Sequence, residues 1–337
     1  YADLVMAGRS HNVPAQATTL GKRFANTGEE LLIAFERLED LIQRYPLRGL
    51  KGPVGTQQDL LDLFDGDEAK VDQLERRVAD ILGFRKTLGS VGQVYPRSLD
   101  FDVLSALVQL SSAPANLAKT VRLMAGADLL TEGFKEGQVG SSAMPHKMNS
   151  RSSERIGGFV TILSGHLAMA ERLVGDQWNE GDVSDSVVRR VMLPDAFFAI
   201  DGLFETTLTI LDEFAAFPAL IEREFERYLP FLATTRLLVA AVRAGVGREA
   251  AHATIKNHAL ASARAMRSGH IEANDLFDRV VADPTLPIDR TVIDAIARDR
   301  AAFAGRAQHQ VGRFAARVAE LVARYPDAAT YRPGNIL

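Results

Sequence analysis

A glycine-rich stretch between residues 133 and 149 holds the side chains best suited to chemistry. It contains three glycines, two adjacent serines (Ser141 and Ser142), a histidine, Lys147 and Asn149. Glycines let backbone N–H groups converge on an anion, while Lys147 adds positive charge and the serines add hydroxyls. A long connector in a helical protein is usually functional or disordered, and a solvated connector is the alternative. We therefore predict that this loop binds an anion or takes part in catalysis.

A second polar turn, residues 8–16, carries His11. A histidine in such a turn can act as a general acid near neutral pH, or it can be an ordinary surface residue. Further along, Ser186 and Arg190 are four residues apart and share one face if that segment is helical. A hydroxyl beside a guanidinium suits a phosphate, although a charged helix start explains the pair equally well. Gln93 precedes Ser98 and could donate to a carboxylate, or the segment could be a turn and N-cap.

Composition excludes several classes of protein. The 337 residues include 39 Lys and Arg, 43 Asp and Glu, and no cysteine, for a net charge of -4. Absence of cysteine excludes disulfides, Cys-ligated zinc, iron–sulfur clusters and thiol nucleophiles. No histidine pair has metal-ligand spacing beside a carboxylate, so we expect neither a metal nor a cofactor. The acidic balance argues against nucleic acid as a partner, and no apolar run is long enough for a membrane. We expect a cytoplasmic protein.

Helical periodicity dominates the pattern that must position these residues. Alternating strand patterns are almost absent, so the predicted class is all-α, an elongated bundle of long helices followed by a small C-terminal helical domain. We assign residues 1–235 to the bundle and 236–337 to the smaller domain. Pro194 suits the first turn of its predicted helix. The predicted long helices are Thr18–Ile42, Glu68–Leu82, Ser98–Ala125, Ser150–Val174 and Leu193–Phe214.

The loop sequence from Gly140 to Asn149, Gly-Ser-Ser-Ala-Met-Pro-His-Lys-Met-Asn, resembles the signature loop of the fumarase/aspartase superfamily. Other stretches are similar to the adenylosuccinate lyase family within it. The resemblance implies an all-α, cofactor-independent carbon–nitrogen lyase that eliminates fumarate from a succinylated nucleotide in purine biosynthesis. The stretches concerned are residues 8–11, 93–97, 153–155, 182–190 and 246–252.

That resemblance also implies a role for each residue. Ser141 would be the general base that removes the proton, and His11 the general acid that protonates the departing nitrogen. Lys147 and Asn149 would hold the carboxylate at the carbon that loses the proton. The other implied substrate-binding residues are Gln93, Ser142, Arg155, Ser186 and Arg190.

The chain also departs from the family pattern. Gly181 stands where an Arg is frequent, so one expected phosphate contact is missing. We expect the chain to represent the central and C-terminal domains of a longer subunit, without the first domain that carries a further active-site His. The family assembles active sites from three subunits of a homotetramer, which we expect here. The remaining departures are Ser10 for Thr, Val13 for Gln and Ser150 for Pro.

Three other functions remain open at this point. The chain could be another fumarate-releasing enzyme, such as an argininosuccinate lyase. It could be a catalytically incompetent fragment or structural relative, although intact His11, Ser141 and Lys147 argue against that role. It could also be a module that senses nucleotides without cleaving them.

Overall fold

The computed structural model describes residues 1–133, 144 and 146–334 and divides into two compact units. The first unit comprises residues 1–26, 126–130 and 215–331, and the second comprises 27–125, 131–214 and the residues from 332 onward. Within the described residues, no helix is both long and apolar enough to cross a membrane. The predicted domain division at residue 235 stays a prediction.

The first unit opens with a β-hairpin, which the sequence patterns did not predict. Strands β1 (Val5–Ser10) and β2 (Val13–Thr19) are antiparallel, and the register shifts between Ala7 and Arg9. This irregularity interrupts the alternation by which a strand is recognised. The hairpin packs against the first helix of the C-terminal region through a buried cluster of Ala7, Phe225, Leu229 and Leu232.

The second unit is built on long helices, as predicted. Helices α4 (Ser98–Ala125), α5 (Arg151–Leu173) and α6 (Ser184–Glu213) pack together, with α5 contacting both of the others. Their buried side chains include Leu104, Ile156, Leu163 and Leu203, each fully or almost fully enclosed. These helices are preceded in the chain by α1 (Leu20–Arg44), α2 (Gln58–Leu63) and α3 (Glu68–Ile81).

Helix α6 begins nine residues before the predicted start at Leu193, so the prediction for Pro194 is wrong. Pro194 lies inside the helix rather than in its first turn. A proline there has no N–H to donate and its ring crowds the preceding turn, at a cost of about 3 kcal/mol. Burial of Met192, Ala196 and Ile200 on the same helix offsets this local penalty.

The C-terminal helices form the rest of the first unit around a second apolar core. That core includes Leu237, Ile255, Leu276 and Ile293. Gly305, at φ 55°, follows the helix Arg300–Ala304 and separates it from the next helix, Ala307–Arg324. A second small sheet pairs β3 (Leu130–Thr131) with β4 (Ala215–Ala216). The helices are α7 (Pro218–Leu232), α8 (Thr234–Arg243), α9 (Arg248–Arg267), α10 (Leu276–Ala282), α11 (Arg290–Arg298), α12 (Arg300–Ala304), α13 (Ala307–Arg324) and α14 (Pro326–Ala329).

Candidate active site

His11 lies at the tip of the hairpin in the first unit. His11 and Asn12 form the connection between paired Ser10 and Val13, with φ values of 51° and 60°. Two consecutive residues with positive φ match a type I′ turn, which suits the twist of the strands. Arg9 donates to the backbone carbonyl of Asn12 at 3.0 Å. The side chain of His11 is exposed, and the backbone of the turn sets the direction of its Cα–Cβ bond.

Gln93 belongs to the second unit, on a segment that is tied by its backbone. The N–H groups of Gln93 and Val94 donate to the carbonyl of Glu180, at 2.9 and 3.3 Å. A side chain at Gly92 would approach within 2.8 Å of that same carbonyl oxygen, so glycine permits the close approach. Arg48 donates to the carbonyl of Gly92 at 2.6 Å. The side chain of Gln93 itself is exposed.

Ser186 and Arg190 lie in the first two turns of α6, also in the second unit. Ser186 is half-buried and Arg190 is exposed. Asp182, two residues before this helix begins, accepts hydrogen bonds from the hydroxyl of Ser184, at 2.6 Å, and from its N–H, at 2.7 Å. These two bonds lower the pKa of Asp182. Because Gln93 and Val94 donate to the carbonyl of Glu180, the segment that carries Gln93 runs beside the segment that leads into α6.

A set of interacting side chains fixes the start of α6 to the start of α4. Arg189 donates to Asp100 at 2.7 Å and also to the hydroxyl of Tyr95, which in turn donates to Asp100 at 2.7 Å. Arg97 forms an ion pair with Asp185, and its guanidinium lies 4.5 Å from the centre of the Tyr95 ring. We call these five residues the anchor network: Tyr95, Arg97, Asp100, Asp185 and Arg189.

Three charged residues of the anchor network are deeply buried, and sequence reasoning missed them. Asp100 is 1% exposed, Arg97 6% and Asp185 7%. Burial raises the pKa of Tyr95, and the hydrogen bond to Asp100 raises it further. A signal was available, because Asp185 and Arg189 repeat the four-residue spacing of Ser186 and Arg190 one position earlier.

The backbone conformation at Gly181 explains why an arginine is absent from this position. Its φ of 148° is a conformation that side-chain-bearing residues rarely adopt, and a Cβ there would lie 3.1 Å from Val94. An arginine at this position would therefore strain the segment that pairs with Gln93. The backbone itself disfavours the contact that the family pattern leads one to expect.

The signature loop is only partly described. Ser141 and Ser142, predicted as base and substrate ligand, lie outside the described residues. Lys147 is exposed, and its N–H donates to the carbonyl of Met144 at 3.0 Å. Asn149 is half-buried. Arg155 is exposed on the second turn of α5.

Glu132 joins the two ends of this loop, and sequence reasoning did not single it out. Its buried carboxylate accepts hydrogen bonds from the N–H groups of Ser152 and Ser153, at 2.8 and 2.9 Å. The Ser153 hydroxyl donates to it as well, at 2.7 Å. A carboxylate at the N-terminus of α5 satisfies N–H groups that have no partner within the helix. Glu132, which precedes the loop, is thus hydrogen-bonded to the start of α5, which follows the loop.

The structure therefore brings together some of the predicted residues. Gln93, Ser186 and Arg190 lie on two segments that are bonded to each other, while Lys147, Asn149 and Arg155 belong to the same unit. His11 belongs to the first unit. Within the described part of the chain, no group of three or more His, Asp or Glu side chains could hold a metal ion.

Comparison with known proteins finds similar sequences along most of the chain. A family model described as "Lyase" matches residues 1–164, and one described as "Adenylosuccinate lyase C-terminus" matches residues 230–314. The chain is 36% identical over 316 residues to adenylosuccinate lyase from Saccharomyces cerevisiae, and 32% identical over 314 residues to that from Schizosaccharomyces pombe. Each match covers 93% of this chain but only 65% of the relative's length.

Solved structures share the fold at lower sequence identity. The 3-carboxy-cis,cis-muconate lactonizing enzyme from Pseudomonas putida superposes with a TM-score of 0.76 at 21% identity, covering 93% of this chain and 67% of that one. A fumarate lyase from Mesorhizobium sp. BNC1 gives the same TM-score and the same coverage of both chains at 17% identity.

The match to the family model described as "Lyase" and the signature-loop sequence together place the chain in the fumarase/aspartase superfamily. Within that superfamily, the chain belongs to the adenylosuccinate lyase family. The all-α fold class predicted from periodicity is thereby confirmed, with the two small sheets as additions.

Proposed function

We propose that this chain acts as an adenylosuccinate lyase, a carbon–nitrogen lyase that releases fumarate from adenylosuccinate and from succinyl-carboxamide imidazole ribotide. The observation that carries the proposal is 36% identity to such an enzyme along 93% of the chain. The residues that the chemistry needs stand at the positions of the family motifs: His11, Ser141, Lys147 and the pair Ser186 and Arg190. No cofactor is required, because elimination needs only a base, an acid and a way to stabilise charge.

The first chemical step is removal of the proton from the β-carbon of the succinyl group. Ser141 takes this proton, and the electrons of the C–H bond move into the adjacent carboxylate. That carboxylate becomes a dianion, so Lys147 and Asn149 stabilise charge that develops in the transition state. A serine is a poor base in water and needs a dry, positively charged environment to act as an alkoxide.

The second step breaks the bond between carbon and the purine nitrogen. The electrons of that bond stay on the nitrogen, which takes a proton from His11, and the products are fumarate and AMP. An exposed imidazole on a tight hairpin turn suits a proton donor that must meet a substrate from solution. Gln93 contacts the succinyl portion, and Ser142 completes the loop's contacts.

The phosphate of the nucleotide binds at the start of α6. Ser186 and Arg190 offer a hydroxyl and a guanidinium four residues apart on this helix. Because Gly181 contributes no side chain, Arg190 carries more of the phosphate charge than the family pattern implies. Arg155 adds a further cation from α5.

A direct assay tests the proposal. The purified protein is incubated separately with adenylosuccinate, the imidazole ribotide and argininosuccinate, and fumarate release is followed by ultraviolet absorbance. We expect release from the first two substrates and its loss in a Lys147→Ala variant. Release from argininosuccinate alone would contradict the proposal, and so would tight AMP binding without any release of fumarate.

We also propose a homotetramer in which neighbouring subunits share each active site, and a cytoplasmic location, both on the strength of the family resemblance. Mixing two inactive variants, His11→Asn and Lys147→Ala, tests the sharing. If the two side chains of one site come from different subunits, random assortment restores about one site in four. No recovery of fumarate release after mixing and reassembly would contradict shared sites.

A further inference from the structure

The anchor network holds the start of α6 in a single rotation about the helix axis. Asp185 and Arg189 are one turn apart and therefore share a face, while Ser186 and Arg190 follow about 100° further round. Asp185 forms an ion pair with Arg97, and Arg189 donates a hydrogen bond to Asp100, while Arg190 of the second pair is exposed. Any rotation that moved Arg190 would break the contacts of both inward residues.

These contacts are of a kind that specifies geometry. Removing one partner of a buried ion pair leaves an unpaired charge away from water, which is strongly unfavourable. A well-packed apolar pair would give similar stability, so stability alone does not account for three carboxylate and guanidinium groups that are each less than 8% exposed. Both arginines also lie against the ring of Tyr95, with Arg97 at 4.5 Å and Arg189 at 5.1 Å from its centre.

The same network also orients the Gln93 segment. Tyr95 and Arg97 follow Gln93 closely, and the backbone of Gln93 is bonded to Glu180, which precedes α6. Two carboxylates complete the arrangement: Asp100 at the start of α4 and Asp185 at the start of α6. The side chains proposed to meet the succinyl group and the phosphate are thus held by one set of bonds.

We propose that the anchor network positions the nucleotide phosphate site. Its residues do not touch the substrate. They set the rotation of the first turns of α6, so that Ser186 and Arg190 present a prearranged hydroxyl and guanidinium to the phosphate. The inference rests on the proposed function for the identity of the ligand, and its geometry rests on contacts within the second unit alone.

Two aspartates on α4 provide a matched test. Asp100 bonds to Arg189 and Tyr95, whereas Asp102 pairs with Arg37 at 3.5 Å and with Arg44 at 2.5 Å, both on α1. We expect Asp100→Asn to weaken AMP binding, measured by calorimetry, about tenfold or more, because the phosphate loses correctly placed charge-assisted hydrogen bonds. Asp102→Asn should lower the melting temperature but leave AMP affinity within about twofold of wild type.

Kinetics separate positioning from general damage. The phosphate is remote from the bond that breaks, so Asp100→Asn should raise KM with a smaller change in kcat. Tyr95→Phe removes one hydroxyl and should give a smaller shift in the same direction, which keeps the test valid if the aspartate variant does not fold. Wild-type AMP affinity in a folded Asp100→Asn or Tyr95→Phe variant would overturn the proposal, as would equal loss in Asp102→Asn.

The outcome is distinguishable from failure of the proposed activity. If the wild-type protein binds AMP but releases no fumarate, the activity is wrong while the binding comparison still decides the positioning role. If fumarate is released and Asp100→Asn binds AMP normally, the activity stands and the positioning role is wrong.

Discussion

The turn that carries His11 and the helix start that carries Arg190 hold their polar side chains by different means. In the turn, two positive φ angles set the backbone conformation from which an exposed imidazole extends. At the helix start, buried side chains of the anchor network determine the direction of an exposed guanidinium. The turn should therefore be sensitive to changes that alter backbone preference, and the helix start to changes in the buried and half-buried side chains beneath it.

Removal of the candidate acid should give the largest effect. We expect His11→Asn, which tolerates the same positive φ, to lower kcat about 10²–10⁴-fold, because protonation of the leaving nitrogen is lost. AMP affinity should stay unchanged, since the turn makes no phosphate contact in the proposed site. Stopped-flow or steady-state fumarate assays measure the first quantity and calorimetry the second. A variant with wild-type kcat would remove His11 from the mechanism.

Truncation at the helix start should act on affinity. Arg190→Ala is expected to weaken AMP binding about 10- to 100-fold through the loss of a charge-assisted phosphate contact. Arg172→Ala, an exposed arginine in the last turn of α5, is the matched control and should have no effect. Equal losses in the two variants would mean that net charge, rather than a phosphate site on α6, attracts the nucleotide.

A backbone test at the turn gives a smaller effect. Asn12→Val places a β-branched residue at φ 60° and should destabilise the hairpin by about 1–2 kcal/mol. Asn12→Gly satisfies the same conformation and should be nearly neutral. Urea unfolding of the two variants provides the comparison. If valine is tolerated as well as glycine, the turn is not determined by its backbone in the way that we describe.

Acid titration probes an ion pair in the same unit as the turn. The pKa of Asp283 is lowered from 3.8 to about 2, first by the hydrogen bond from the hydroxyl of Thr285 and then by the one with His258. The His258 Nε2 atom lies 2.6 Å from the Asp283 carboxylate. A carboxylate whose pKa is lower in the folded state stabilises the protein above its unfolded pKa and loses that contribution as the pH falls. The stability advantage of wild type over Asp283→Asn should therefore be complete above about pH 5, decline as the pH falls through about 4 to 2, and vanish only below about pH 2. An advantage that is independent of pH would contradict the charged interaction.

The long helices were predictable because their apolar periodicity is sustained. Ser98–Ala125 has the predicted bounds, and α3 ends within one residue of its predicted end, before Gly83. The hairpin was missed because its strands are short and irregular, and the start of α6 was missed because Pro194 favours a helix start locally. Tertiary packing outweighed that local preference.

The candidate site was predictable only as a set of motifs. His11, Gln93, Ser186 and Arg190 stand out because polar groups cluster on connectors and helix starts. The supporting residues do not, since Asp100 and Glu132 act through partners distant in sequence, such as Arg189 and Ser153. Periodicity cannot reveal which distant charges meet in a buried network.

The interior proline of α6 has a consequence for motion. Pro194 has no N–H to offer the carbonyl of Arg190, so the hydrogen-bond ladder is interrupted where the site segment joins the bundle. We expect the ten helical residues before Pro194 to unfold locally without loss of the hydrogen bonds in the rest of the helix. The contacts of the anchor network then determine the free energy of this local unfolding. Amide protons before Pro194 should exchange with solvent through local opening, while those around Leu203 should wait for global unfolding.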